Sequence, residues 1–130
     1  MNFNERTLIL IYNFEDRGGR EALAYAKSIN DNIEEYDISK TRLTARHLAE
    51  IIKRLDVSAT DLVNPKSDHY YKVEGKDFEE MDLLALLAED HSLLKTPIVV
   101  MNNRGVICNI PSDVLRLAPE KGGGKDINEA

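Results

Sequence analysis

Thr7-Leu8-Ile9-Leu10-Ile11-Tyr12 is the strongest structural signal in the sequence. This run is β-prone and apolar on both faces, which is typical of a central strand covered by helices. A second apolar run, Thr96-Pro97-Ile98-Val99-Val100-Met101, begins with a proline, whose missing N–H is tolerable at the start of a strand. The two runs predict two strands of one sheet.

The chain between and after these runs predicts five helices, a polar strand suited to a sheet edge, and a hairpin. The first helix follows the loop after the first strand and is expected to end at about Ile29. The other four are expected over residues 44–55, 58–63, 78–89 and 112–117. The polar strand is expected at 33–38, and the hairpin returns at 106–108 after a turn at 102–105. The element order is β-α-β, a helical insertion at about 41–94, then β-β-α. This order predicts an α/β fold with a four-stranded mixed sheet flanked by helices.

Length and composition limit the classes of protein that fit. The chain has 130 residues and a formal charge of -6, which fits one domain and disfavours direct nucleic-acid binding. No apolar stretch is long enough for a membrane span and no signal peptide is evident, so we expect a cytoplasmic protein without membrane attachment. The domain is expected to cover residues 1–118, and the glycine-rich segment 119–130 to form a flexible polar tail. The single cysteine excludes an intrachain disulfide and a cysteine-based zinc site.

Four short motifs resemble those of the arsenate reductase (ArsC) and Spx family in order and spacing. They are Ile11-Tyr12-Asn13, Asp61-Leu62-Val63-Asn64, Thr96-Pro97-Ile98-Val99-Val100, and Ile110-Pro111-Ser112-Asp113-Val114-Leu115. The resemblance covers roughly residues 7–117. It implies the thioredoxin-like fold, an active-site turn at the start of the first helix, and a cis peptide before Pro97.

The same resemblance implies that the catalytic residues of the family are replaced. The nucleophilic cysteine of the family corresponds to Asp16, and the second cysteine of Spx-type members to Gly19. The three arginines that surround the oxyanion in arsenate reductases correspond to Asn64, Thr96 and Asn109. The resemblance therefore implies the fold of the family without its nucleophile or its anion-binding arginines.

Two interpretations of Asp16 follow from its place before the first helix. An aspartate there is a favoured N-cap, whose carboxylate would accept hydrogen bonds from N–H groups near Gly18 and Gly19. Alternatively, its negative charge mimics a permanently reduced thiolate and holds a signalling conformation. The segment Arg17-Gly18-Gly19-Arg20 is interpreted as a flexible turn, with an anion-binding helix start as the alternative. Asp16 would repel an anion there.

The remaining chemistry-bearing side chains predict no further site. Cys108 lies between apolar neighbours and is expected to be buried and inert, although redox chemistry with glutathione remains the alternative. His47, His69 and His91 lie on different segments without ligand spacing, so no metal site is expected. The candidate binding residues are Asn13, Asp16, Arg17, Gly18, Gly19, Arg20, Asn64, Thr96, Pro97 and Asn109.

Two functional hypotheses remain. The first is a catalytically impaired ArsC/Spx-like protein that acts as a binding or regulatory module without a cofactor. Its partner would be another protein, and the resemblance to Spx implies the RNA polymerase α-subunit as a candidate. The second is a thiol-dependent oxidoreductase, similar to arsenate reductase or glutaredoxin, that uses Cys108 and glutathione. A site for arsenate must offset roughly two negative charges. Because the chain is acidic and lacks the family's arginines, it would disfavour that anion, and the first hypothesis is therefore preferred.

Overall fold

A computed structural model describes residues 1–119 of the chain, so most of the tail expected at 119–130 lies outside the described residues. The strands are β1 (Leu8–Tyr12), β2 (Ile33–Asp37), β3 (Ile98–Met101) and β4 (Arg104–Ile107). The α-helices are α1 (Arg17–Ile29), α2 (Ala45–Leu55) and α3 (Glu80–Glu89). Short 3-10 helices cover Ala59–Leu62, Tyr70–Lys72, His91–Leu93 and Pro111–Leu117.

The four strands form one mixed sheet in the order β2-β1-β3-β4. β1 runs parallel to β2 and antiparallel to β3, and β4 returns antiparallel beside β3. The helical segments between β2 and β3 form the insertion. This arrangement confirms the predicted four-stranded thioredoxin-like sheet.

β1 lies at the centre because both of its faces carry apolar side chains. Ile9 and Ile11 pack into a core with α2, α3 and other residues of the insertion. Leu8, Leu10 and Tyr12 pack on the opposite face, where α1 and the 3-10 helix Pro111–Leu117 cover the sheet. All five β1 residues are buried, so this strand lies between the two layers of helices.

The β3–β4 hairpin is tighter than the sequence suggested. Met101 pairs with Arg104, so Asn102 and Asn103 alone form the turn. Asn102 adopts φ 58°, a left-handed conformation that asparagine tolerates better than most residues. The expected turn at 102–105 is therefore two residues too long, and β4 begins at Arg104 rather than at Val106.

The last helix and the peptide bond before Pro97 can also be compared with the sequence prediction. The short helix predicted at 112–117 is a 3-10 helix that begins one residue earlier, at Pro111. The Thr96–Pro97 peptide is cis, as the family resemblance implies. Within residues 1–119, every helix is too short or too polar to cross a lipid bilayer.

Candidate functional site

The loop between β1 and α1 holds Asp16, the residue that the resemblance aligns with a nucleophilic cysteine. Its backbone is fixed by side chains: Asn13 Oδ1 accepts a hydrogen bond from Glu15 N at 2.9 Å, and Asp37 Oδ1 accepts one from Phe14 N at 3.0 Å. Gly19 packs against the backbone of Asn13 so closely that an added Cβ would lie 2.0 Å from its carbonyl oxygen. The loop and the first turn of α1 therefore form one rigid unit.

Asp16 occupies the N-cap position of α1, but its side chain accepts no capping hydrogen bond. The expectation that its carboxylate bonds the N–H groups near Gly18 and Gly19 is wrong. Its backbone carbonyl instead accepts the first helical hydrogen bond, from Arg20 N at 3.1 Å. The carboxylate is exposed, so its negative charge faces solvent at the N-terminal end of α1.

We expect Asp16→Ala to change the free energy of unfolding by less than about 0.5 kcal/mol, since no hydrogen bond of the carboxylate is lost. The matched control is Thr44→Ala at the N-cap of α2, where Thr44 Oγ1 accepts a hydrogen bond from His47 N at 3.1 Å. That change should cost about 1 kcal/mol. Urea unfolding at pH 7 measures both variants, and equal losses would contradict the exposed, uncapped carboxylate.

The segment 17–20 is the first turn of α1 and not the flexible turn that the sequence suggested. Tertiary packing overrides the low helix propensity of glycine here, because Gly19 lies so close to the backbone of Asn13 that no larger residue fits. Arg17 pairs with Glu21 at 3.0 Å. Arg20 donates to the carbonyl oxygen of Phe14 at 2.7 Å. The guanidinium of Arg20 is thus held against the loop before the helix, whereas Arg17 makes only a surface pair with 87% of its side chain exposed. An anion site at this turn stays a prediction.

A separate cavity of about 210 Å³ brings together Asn64, Thr96 and Asn109, the three positions that the resemblance aligns with arginines. Its lining is Asn64, Pro65, Lys66, Lys95, Thr96, Cys108 and Asn109. The candidate residues between Asn13 and Arg20 do not line this cavity, and neither does Pro97, which is buried at the start of β3. The structure therefore joins Asn64, Thr96 and Asn109 with the only thiol.

The cavity is held together where the end of the insertion pairs with the segment before β3. Val63 and Leu94 form an isolated antiparallel bridge. Asn64 N donates to Leu93 O, and Lys95 N donates to Leu62 O, both at 2.7 Å. These bonds fix the backbone at Asn64 and beside Thr96.

Sequence reasoning missed Lys66 and Lys95, which bring positive charge to the cavity. Lys95 Nζ donates to Asn109 Oδ1 at 2.7 Å. An ammonium group is a point charge without the planar fork with which arginine binds an oxyanion through two bonds. The only available signal was adjacency in sequence, because Lys95 precedes Thr96 and Lys66 follows Pro65. The two lysines therefore give the cavity positive charge without the bidentate geometry of arginine.

Cys108 lines the cavity yet is nearly inaccessible, with 2% of its surface exposed. Burial raises the pKa of its thiol to about 12, and the nearby carboxylate of Asp113 contributes in the same direction. A thiol with this pKa is almost entirely protonated at pH 7. The expectation of a buried and inert cysteine is confirmed in its burial.

The three histidines lie in three separate hydrogen-bonding environments. Thr44 N donates to His47 Nδ1 at 3.2 Å, closing the capping box of α2. Leu43 N donates to His91 Nε2 at 3.2 Å. His69 Nδ1 lies 2.7 Å from Asp90 Oδ2. Within residues 1–119, no three His, Cys, Asp or Glu side chains are placed to hold a metal ion.

Asp90 anchors the loop that follows Asn64 to the end of α3. Lys72 Nζ donates to Asp90 Oδ2 at 2.6 Å, and Ser92 Oγ donates to Oδ1 at 2.5 Å. Although burial alone would raise it, these hydrogen bonds and the contact with His69 hold the pKa of Asp90 well below its usual range. The cluster is structural, since His69 offers the same nitrogen to both Asp90 and Ser92 and so cannot relay a proton between them.

Comparison with solved structures defines the class of fold. An arsenate reductase from Vibrio cholerae is 20% identical with a TM-score of 0.76, covering 88% of this chain and 99% of its own. A candidate arsenate reductase from Yersinia pestis is 23% identical with a TM-score of 0.76, covering 85% and 99%. An arsenate reductase related protein from Brucella melitensis is 13% identical with a TM-score of 0.59, covering 89% and 98%. At these identities the similarity establishes the thioredoxin-like fold alone.

The family follows from the sequence itself. The model of the ArsC family matches residues 20–117, which is more than half of the chain, and the protein belongs to this family. The match begins after Asp16, so the correspondence of Asp16 to the nucleophile rests on the motif Tyr12-Asn13 and its spacing. A search of curated protein sequences finds no match.

Proposed function

We propose that this ArsC-family protein is a cytoplasmic binding or regulatory module that lacks the thiol chemistry of arsenate reduction. The observation that carries the proposal is the state of Cys108. It is the only thiol of the chain, it is buried, and burial raises its pKa to about 12. A nucleophilic cysteine must be an accessible thiolate, and this thiol is neither accessible nor ionised near neutral pH.

The surroundings of Asp16 support a binding role. Its exposed carboxylate lies at the N-terminal end of α1. A carboxylate can form neither a mixed disulfide nor an arsenic–sulfur bond. Two large apolar side chains near this end of the helix are exposed, Phe14 by 44% and Ile110 by 56%. Pro111, the neighbour of Ile110, lies against Gly18 of α1. An apolar surface with a fixed charge fits a protein partner better than a small oxyanion.

A thiol-dependent oxidoreductase is the second candidate, and one observation favours it. Cys108 lines the cavity that also contains Lys66 and Lys95, so an anionic substrate such as arsenate or glutathione would meet positive charge beside the thiol. Against this, the side chains at the three arginine positions are neutral, and the thiol is protonated. The binding module is therefore the better proposal.

We expect no arsenate reduction above background when glutathione and glutaredoxin are supplied, because no accessible thiolate is present. Wild type, Cys108→Ser and Asp16→Cys are compared at the same protein concentration. Asp16→Cys restores a thiol at the nucleophile position but not the three arginines, so it should also remain at background. Turnover in wild type that disappears in Cys108→Ser would overturn the proposal and establish the thiol enzyme.

The resemblance to Spx makes the RNA polymerase α-subunit the first partner to test. Binding of its purified C-terminal domain by wild type, weakened in a Phe14→Ser/Ile110→Ser variant, would support the regulatory role. Absence of binding would exclude this domain as the partner, and a different protein would then have to be sought. It would not alter the conclusion from the turnover assay.

A further inference from the structure

We infer that the open edge of β4 binds an extended acidic segment of a partner protein as an added strand. The inference rests on the proposed binding role, but its surface lies along β4 and not at Asp16. Its test observes the backbone of β4 directly, so it can fail while the absence of thiol turnover stands.

The hydrogen bonding of the hairpin leaves β4 with unpaired backbone groups. Met101 and Arg104 close a two-residue turn and form a hydrogen-bonded pair, so bonded and non-bonded pairs alternate from there. Cys108 N donates to Pro97 O at 2.9 Å, in agreement with this alternation. The N–H and C=O groups of Gly105 and Ile107 therefore point away from β3. Within residues 1–119, no side chain or loop backbone group bonds them.

The edge is open because the helices flank β4 without covering it. Shallow depressions on the surface are lined by Leu55 from α2, by Gly105 and Val106 from β4, and by Arg116 from the C-terminal 3-10 helix. Val57 and Leu117 extend the apolar lining. An added strand would place its alternate side chains against these two flanks, as strand addition requires.

The positive charge along the β4 edge favours an acidic binding partner. Arg104, Arg116 and Lys95 line the depressions, although the whole chain carries a formal charge of -6. Within residues 1–119, neither Arg104 nor Arg116 forms an ion pair. Asp61 is the one acidic residue among the described lining, and its carboxylate accepts a hydrogen bond from Ser58 N at 2.9 Å. A strand that carries carboxylates on one face complements this edge.

A second copy of the chain is a poorer occupant. Antiparallel pairing of two β4 edges would bring the arginine-lined surfaces together, and like charges across paired strands are destabilising. An acidic segment of a different protein meets no such repulsion.

The probe is a capped synthetic peptide that alternates valine with glutamate, added to the full-length protein. We expect the amide signals of Gly105 and Ile107 to shift in NMR spectra and their hydrogen exchange to slow. Two control peptides should bind at least about tenfold more weakly: one with lysine in place of glutamate, and one with N-methylated amides along the pairing edge. Shifts confined to other residues, or equal binding of the N-methylated peptide, would overturn strand addition.

Charge reversal on the protein completes the test. Arg104→Glu/Arg116→Glu should weaken binding of the acidic peptide at least about tenfold. Lys40→Glu/Lys76→Glu makes the same change of charge at exposed residues away from β4 and should leave the affinity within about twofold. Equal losses in both variants would overturn the assigned surface. So would protection of Gly105 and Ile107 before peptide is added, since the chain or a second copy would then already occupy the edge.

Discussion

Gly19→Ala should lower the free energy of unfolding by about 3 kcal/mol or more, because the methyl group has no space. An added Cβ would lie 2.0 Å from the carbonyl oxygen of Asn13 and 2.9 Å from its carbonyl carbon. These are backbone atoms of the loop that follows β1, and they cannot move aside as the end of a flexible side chain can. Either the loop or the start of α1 must shift, which separates α1 from the sheet.

Gly18→Ala is the matched control, since it makes the same change one residue earlier in the same helix. Its Cβ would lie 3.5 Å from Pro111 Cγ, an ordinary contact. Alanine also favours the helix over glycine, so we expect a change between zero and a gain of about 1 kcal/mol. Urea unfolding monitored by circular dichroism measures both variants. A loss below about 1 kcal/mol in Gly19→Ala would contradict the rigid junction between loop and helix.

Much of the fold could be predicted because the decisive signals are local. β1 is apolar at every position, so only a strand covered on both faces satisfies it. The capping boxes at Thr44 and Ser58 begin their helices where the sequence indicates. The hairpin was harder, since Asn102 turns the chain by a left-handed conformation that asparagine tolerates without requiring. Both asparagines of the turn lie within hydrogen-bonding distance of Arg54 Nη1, a contact that no local pattern reveals.

The grouping of three candidate positions could be predicted, but the other residues that line their cavity could not. Asn64, Thr96 and Asn109 are far apart in the chain, and the family resemblance alone connected them before the cavity was seen. The lysines of that cavity could not be predicted because isolated lysines belong to no motif. The N-cap position of Asp16 was predicted, but the expected hydrogen bonds of its carboxylate were wrong for a different reason. Capping depends on the rotamer of one side chain, whereas the sequence fixes only that a favoured cap residue precedes the helix.

The second large effect concerns the reactivity of Cys108. In the native protein at pH 8, we expect its labelling by a thiol reagent to be at least about a thousandfold slower than in urea. Burial raises its pKa to about 12, whereas a thiol in the unfolded chain has a pKa of about 8.5. Because only the thiolate reacts, the native rate falls with the thiolate fraction and falls further through lack of access.

The same difference in pKa sets how stability depends on pH. Because the native thiol holds its proton more tightly than the unfolded one, its contribution to stability is complete below about pH 8.5. That contribution declines as the pH rises towards the native pKa, since the unfolded chain ionises first. Wild type should therefore lose stability relative to Cys108→Ala as the pH is raised from 8 to 10. A difference between the two proteins that stays constant over this range would contradict the raised pKa.

Asp16→Cys/Cys108→Ser is the matched control for the labelling experiment, because it moves the single thiol to the exposed position at the start of α1. A thiol there is accessible, and the helix N-terminus favours its thiolate. We expect it to react at least as fast as a free cysteine, in native buffer and in urea alike. Rapid native labelling of Cys108 itself, at a rate close to that of this variant, would contradict the buried thiol. It would also restore the thiol-dependent oxidoreductase as the better account of the cavity, since a reactive Cys108 thiolate beside Lys66 and Lys95 could bond the arsenic of a bound arsenate as one of its oxygens leaves as water.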